Sequence, residues 1–140
     1  MSNLQPTSPG SQPPSQFDPL EFYNLAKTLA QIQTECCFRT AIGRSYYAMY
    51  LFASERQQVV SKKSLNPRQQ HIGEHQYLTM ILDMIPGQRN IASQLRKLKR
   101  LRTVADYEML PANTSYQNWV NNWNNAEILV GHILPGLTQL

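Results

Sequence analysis

The sequence predicts an all-α fold, an antiparallel bundle of four to five helices, and three observations predict it. Its apolar residues recur at helical spacing, with no alternating strand pattern and no internal repeat. Five prolines, Pro19, Pro67, Pro86, Pro111 and Pro135, fall at intervals that read as helix boundaries. The 140 residues are 41% hydrophobic, which suffices for one domain with one core and excludes a multi-domain enzyme. Short connections between the helices favour antiparallel neighbours.

Residues 1–16 carry no charge, contain Pro6, Pro9, Pro13 and Pro14, and are otherwise largely Ser and Gln. Such a segment buries too little to offset its ordering entropy, so a disordered tail is expected there and a single helical domain over 17–140. The first helix runs from Asp18 to about Gln33. Asp18 is its N-cap, Pro19 lies in the first turn, and Leu20, Tyr23, Leu25, Ala26, Leu29 and Ile32 are near helical spacing. The second spans about Glu35 to Val60 with Phe38, Ala41, Ile42, Ser45, Tyr46, Met49, Tyr50 and Phe52, after a weakly marked break around Thr34.

Asn66-Pro67 caps a third helix carrying Ile72, His75, Leu78, Ile81 and Leu82 on one side, and Pro86-Gly87 ends it. Ile91, Leu95, Leu98, Leu101 and Ala105 mark a fourth that stops before Pro111. The last runs from about Ser115 to Leu134, with Trp119, Trp123, Ala126 and Val130 inward, and Pro135-Gly136 closes it. Asn113-Thr114-Ser115 has the form of a glycosylation sequon and reads as helix capping.

Thirteen Lys and Arg against nine Asp and Glu give a net charge of +4, which permits an anionic partner. No apolar run approaches the roughly 18 residues that span a bilayer, and the N-terminal residues lack the features of a secretory signal. A soluble, cytoplasmic protein without membrane contact is expected. The two cysteines, Cys36 and Cys37, are adjacent, which excludes a disulfide framework and a cysteine zinc site and suggests two thiols buried in a helix.

Three strings carry candidate chemistry. His71-Ile-Gly-Glu74-His75 matches the H-x-x-E-H pattern of inverted zinc proteases. A zinc hydrolase also needs a third protein ligand and a cleft, which a domain this small is poorly placed to supply, so neither a metal nor a cofactor is expected. One histidine packing inward beside a solvated partner explains the string as well. Arg96, Lys97, Lys99, Arg100 and Arg102 place five cations in seven residues around Leu95, Leu98 and Leu101, a face that suits phosphates or simply water. Asp106 follows Arg102 at i+4, within ion-pair reach. Arg44, Tyr46, Tyr47 and Tyr50 lie in a helix lined by Ala41, Gly43, Ser45 and Ala48, small residues that admit a close neighbour.

Arg39-Thr-Ala-Ile-Gly-Arg44-Ser-Tyr46-Tyr47-Ala48-Met49-Tyr50, then a histidine in the third helix, then Leu101-Arg102-Thr-Val-Ala105-Asp106-Tyr107, resembles the HEPN superfamily. The likeness is to its small bacterial and archaeal branch, and it covers most of residues 17–134. The resemblance implies a homodimer with a shared cleft and an RNA-associated function. Many members are metal-independent RNases of toxin–antitoxin or defence systems, and a nucleotidyltransferase is a common partner. The superfamily's nuclease motif is an arginine followed, after four to six residues, by a histidine. Here Arg102 holds the arginine position and Tyr107 stands where the histidine belongs, and a phenol of pKa near 10 is a poor base.

Two classes of function stay open. One is a ribonuclease in which Arg102 binds the scissile phosphate, Asp106 orients it or moves a proton, Tyr107, Arg44 and Tyr47 support the cleft, and His71 or His75 supplies a proton acceptor. The other is a non-catalytic module that binds RNA, a nucleotide or a partner protein through Arg44, Tyr47, Arg96, Lys97, Lys99 and Arg100.

Overall fold

The structure, a computed structural model, describes residues 17–56, 73–108 and 116–138. These form α1 (Leu20–Ala30), α2 (Glu35–Arg56), α3 (Glu74–Met84), α4 (Arg89–Tyr107) and α5 (Tyr116–Thr138), with no strand among the described residues. The all-α expectation therefore holds. The tail at 1–16, the Asn66-Pro67 cap, Ile72 and the Asn113 sequon lie outside the described residues.

Helix α2 is the spine and touches all four others. Its local start is written in side chains. Gln33 turns the chain at φ 64°, and the Thr34 hydroxyl accepts from the Cys37 N–H at 3.2 Å, capping an otherwise orphaned donor. Asp18 does the same for α1, its carboxylate accepting from the Leu20 N–H at 3.0 Å. The core gathers Phe38, Ile42, Tyr46, Met49 and Phe52 of α2 with Leu78 and Leu82 of α3, Ile91, Leu95 and Leu98 of α4, and Trp119, Trp123, Val130 and Ile133 of α5.

Three expectations need correction. Leu25 and Ile32 do not face inward: they are 46% and 57% exposed. The buried stripe of α1 is centred on Ala26 and Ala30, whose small side chains let α1 lie close on α2, and Leu25 sits about 100° away from Ala26 around the helix. The two cysteines are not buried either. Cys36 is exposed and Cys37 half-buried, because both occupy the first turn of α2, ahead of the point where Phe38 enters the core.

Pro135 and Gly136 do not end the last helix, which continues to Thr138 with Pro135 inside it. Two features offset the backbone hydrogen bond that proline removes. Leu137 is fully buried by the continuation, and Gly136 lies so close to α4 that a Cβ there would overlap the Ile91 side chain.

Candidate anion site between α2 and α4

Arg39, Gly43, Tyr46, Tyr47 and Tyr50 recur on α2 at steps of three or four and so share the face that α4 crosses. From α4 comes Arg102. Its Nε donates to Asp106 Oδ2 at 2.8 Å, and its Nη2 donates to the hydroxyls of Tyr47 at 2.7 Å and Tyr107 at 3.3 Å. The guanidinium also lies over the rings of Tyr46, Tyr47 and Tyr107, at 5.8, 5.1 and 5.2 Å from their centres. Burial disfavours the arginine's charge, but Tyr47, Asp106 and Tyr107 outweigh it and hold the group more firmly protonated than usual. Among the described residues Nη1 has no hydrogen-bond partner, so half of the fork remains for a ligand.

Gly43 sets how closely the two helices meet. A Cβ there would come within 3.2 Å of the Asp106 carboxylate, so the missing side chain of α2 is the space in which that carboxylate sits. The small-residue stripe was legible in the sequence, whereas the group that fills it was not.

Arg39 is the residue that sequence reasoning did not single out as functional. Its Nη1 donates to the carbonyls of Ala105 and Glu108, both at 2.9 Å, closing the C-terminal end of α4. Its Nε pairs with Glu35 at 2.8 Å and its guanidinium lies 4.3 Å over Trp119. The signal was present in its spacing, one turn before Gly43 and two before Tyr47. An open groove of about 440 Å³ runs beside it, lined by Glu35, Cys36, Arg39, Thr40, Ala105 and Asp106.

A histidine joins the cluster from α3. His75 Nδ1 and the Tyr46 hydroxyl share a hydrogen bond of 2.7 Å, and one residue earlier Glu74 accepts from Tyr50 at 3.2 Å. Burial, followed by the charges of Lys99 and Arg96, lowers the His75 pKa from its usual 6.5 to about 4, so the ring is neutral at pH 7. Burial pushes the Tyr46 phenol far up, with a smaller opposing pull from Arg102, and it stays protonated.

The other expected residues separate. Arg44 points to α1, its guanidinium 5.2 Å from the centre of the Phe22 ring, and so does not join Arg102 in one cleft. Arg96 is bound to Asp83 of α3 at 2.6 Å. Lys97 and Arg100 are exposed and Lys99 is half-buried. His71 lies outside the described residues, and among those described no three His, Cys, Asp or Glu side chains gather as a metal site.

Comparison of the chain with protein families, curated proteins and solved structures finds no match. Within the described residues no helix is long and apolar enough to cross a membrane. What bears on function is therefore the chemistry of the cluster. It offers a held guanidinium whose Nη1 has no hydrogen-bond partner among the described residues, a highly exposed phenol at Tyr107, and a flank of cations on α4. That combination suits a phosphate better than a neutral ligand.

Proposed function

We propose that this protein is an HEPN-type, RNA-associated helical module that binds the phosphate backbone of RNA at Arg102. The observation that carries this assignment is the state of the guanidinium: Asp106, Tyr47 and Tyr107 fix it on three donors, leaving Nη1 among the described residues for an anion. Such preorganisation lowers the ordering cost of binding, and the remaining Nη1 hydrogens can donate charge-assisted hydrogen bonds to a phosphate oxygen. Lys97, Lys99 and Arg100 extend positive charge along the same helix and would hold the flanking backbone.

Binding rather than cleavage is the function this geometry supports best. The groups hydrogen-bonded to Arg102 are two phenols and a carboxylate committed to Nε, none of them poised as a general base. The neutral imidazole of His75 is bonded to the Tyr46 hydroxyl rather than to any group that holds Arg102. A second assignment, metal-independent RNA cleavage, draws support from that same imidazole, which is unprotonated and oriented at neutral pH.

Fluorescence anisotropy with a short labelled single-stranded RNA tests the binding role. Arg102→Gln is expected to weaken binding at least tenfold while its far-ultraviolet dichroism stays that of the parent. An unchanged affinity would overturn the assignment. Total RNA incubated in EDTA and run on a denaturing gel separates the two functions: cleavage by the parent and not by Arg102→Gln would replace binding with catalysis.

A further inference from the structure

We propose that the ring of Tyr107 is a stacking platform for an unpaired base, which makes single-stranded RNA the substrate class of the Arg102 site. This deepens, and rests on, the assignment of Arg102 as a site for an RNA phosphate.

Two aromatic side chains are exposed among the described residues, Phe17 at 48% and Tyr107 at 69%. Packing accounts for Phe17, whose ring meets that of Phe22 with centres 4.7 Å apart. No second ring lies against Tyr107 among the described residues. Instead the Arg102 guanidinium stands over it, the guanidinium carbon 5.2 Å from the ring centre, and the Tyr107 hydroxyl accepts from Nη2 at 3.3 Å. Asp106 and Tyr47 fix that guanidinium at 2.8 and 2.7 Å, so the ring rests on a held support at the last residue of α4. A ring already held in place loses little rotamer freedom when a flat partner arrives.

The hydroxyl contact does not by itself explain why an aromatic ring stands here. It is the longest of the three hydrogen bonds to Arg102, and the two shorter ones already hold the guanidinium. The ring adds a π-face open to water beside a cation with a free donor, the pairing that suits a nucleotide, whose base and phosphate are one ribose apart. With a phosphate oxygen at Nη1, the base of the same or the next nucleotide lies within reach of the open face. In an A-form duplex each base is paired and covered on both faces by its neighbours, so a duplex brings phosphates to Arg102 but no free face to Tyr107. An unpaired stretch brings both. Every base has a π-face, so the ring selects strandedness rather than sequence.

Fluorescence anisotropy tests this with three labelled probes: a short oligouridylate, a ribose-phosphate strand of the same length without bases, and an RNA duplex. The proteins are the parent, Tyr107→Ala, Tyr107→Leu, Tyr107→Phe and Arg102→Gln, with far-ultraviolet dichroism checking that each is folded. Loss of the ring in Tyr107→Ala and Tyr107→Leu is expected to weaken oligouridylate binding about fivefold or more, the low end for one stacked base, while Tyr107→Phe stays within about twofold of the parent. The strand without bases and the duplex should bind the parent more weakly than oligouridylate does and be indifferent to all three Tyr107 substitutions. An equal loss on all three probes would mean that Tyr107 acts only by holding Arg102, and a loss in Tyr107→Phe matching that in Tyr107→Ala would mean that the hydroxyl is what matters; either overturns the platform. Oligouridylate binding that depends on Arg102 and not on Tyr107 removes the platform and leaves the phosphate site standing. If the parent binds none of the three probes, the RNA assignment falls and the platform with it.

Discussion

A guanidinium carries five N–H donors, and Arg102 commits three of them to Asp106, Tyr47 and Tyr107. The i+4 spacing made the carboxylate partner legible in the sequence; Tyr47, 55 residues earlier, came near only through the crossing of α2 and α4. His75 is the clearer case of a property conferred by surroundings. An exposed histidine titrates near 6.5, whereas this one is held at about 4. Between those values the unfolded chain binds a proton that the folded ring refuses. The stability contributed by the neutral ring is thus complete above pH 6.5 and declines as pH falls toward 4. Because the ring is half-exposed, solvent screening reduces the effect to about 1 kcal/mol. Urea unfolding at pH 7 and pH 4.5 should show a drop in stability smaller in His75→Gln than in the parent by that amount. An equal drop in both proteins would remove His75 from the acid sensitivity.

Helix α5 shows where local rules yield to packing. Proline and glycine in succession read as a stop, yet the helix continues because Leu137 gains full burial and Gly136 fits against Ile91. Alanine at 136 has the better helix propensity by about 1 kcal/mol, but its methyl must displace a core side chain, at a cost of roughly 1–3 kcal/mol. Gly136→Ala should therefore lower stability by about 1 kcal/mol in chemical denaturation. Adding Ile91→Val, which removes the closest methyl group, should make the two substitutions non-additive in a double-mutant cycle. Simple additivity would mean that the contact is not the cause. Helix α1 errs in the opposite sense. Leu25 and Ile32 fit an inward periodicity, but small alanines won the interface because they permit closer approach to α2.

Across the molecule, charge is distributed unevenly with respect to function. Arg39 closes the end of α4, Arg44 covers Phe22 and Arg96 ties α3 to α4, so three of the cations are structural. Lys97 and Arg100 are exposed and Lys99 half-buried on α4, none of them with an ion pair among the described residues. If all three meet phosphates, replacing them with glutamine should lower the slope of log affinity against log salt by about two, from roughly 0.7 per contact on a single strand. An unaltered slope would show that α4 is merely solvated.

Periodicity was enough to establish the helices and most of the core, since each helix must bury an apolar stripe wherever it packs. Trp119, Trp123, Ala126 and Val130 of α5 and Ile91, Leu95 and Leu98 of α4 were readable in that way. So was the Arg102–Asp106 pair, whose spacing is local. The division of the arginines between structure and site, the seat of the Asp106 carboxylate at Gly43, and the Tyr46 hydroxyl on His75 were not readable. Each joins residues distant in the chain, and their meeting depends on how closely and at what register the helices cross, which side-chain volume decides and linear spacing does not encode.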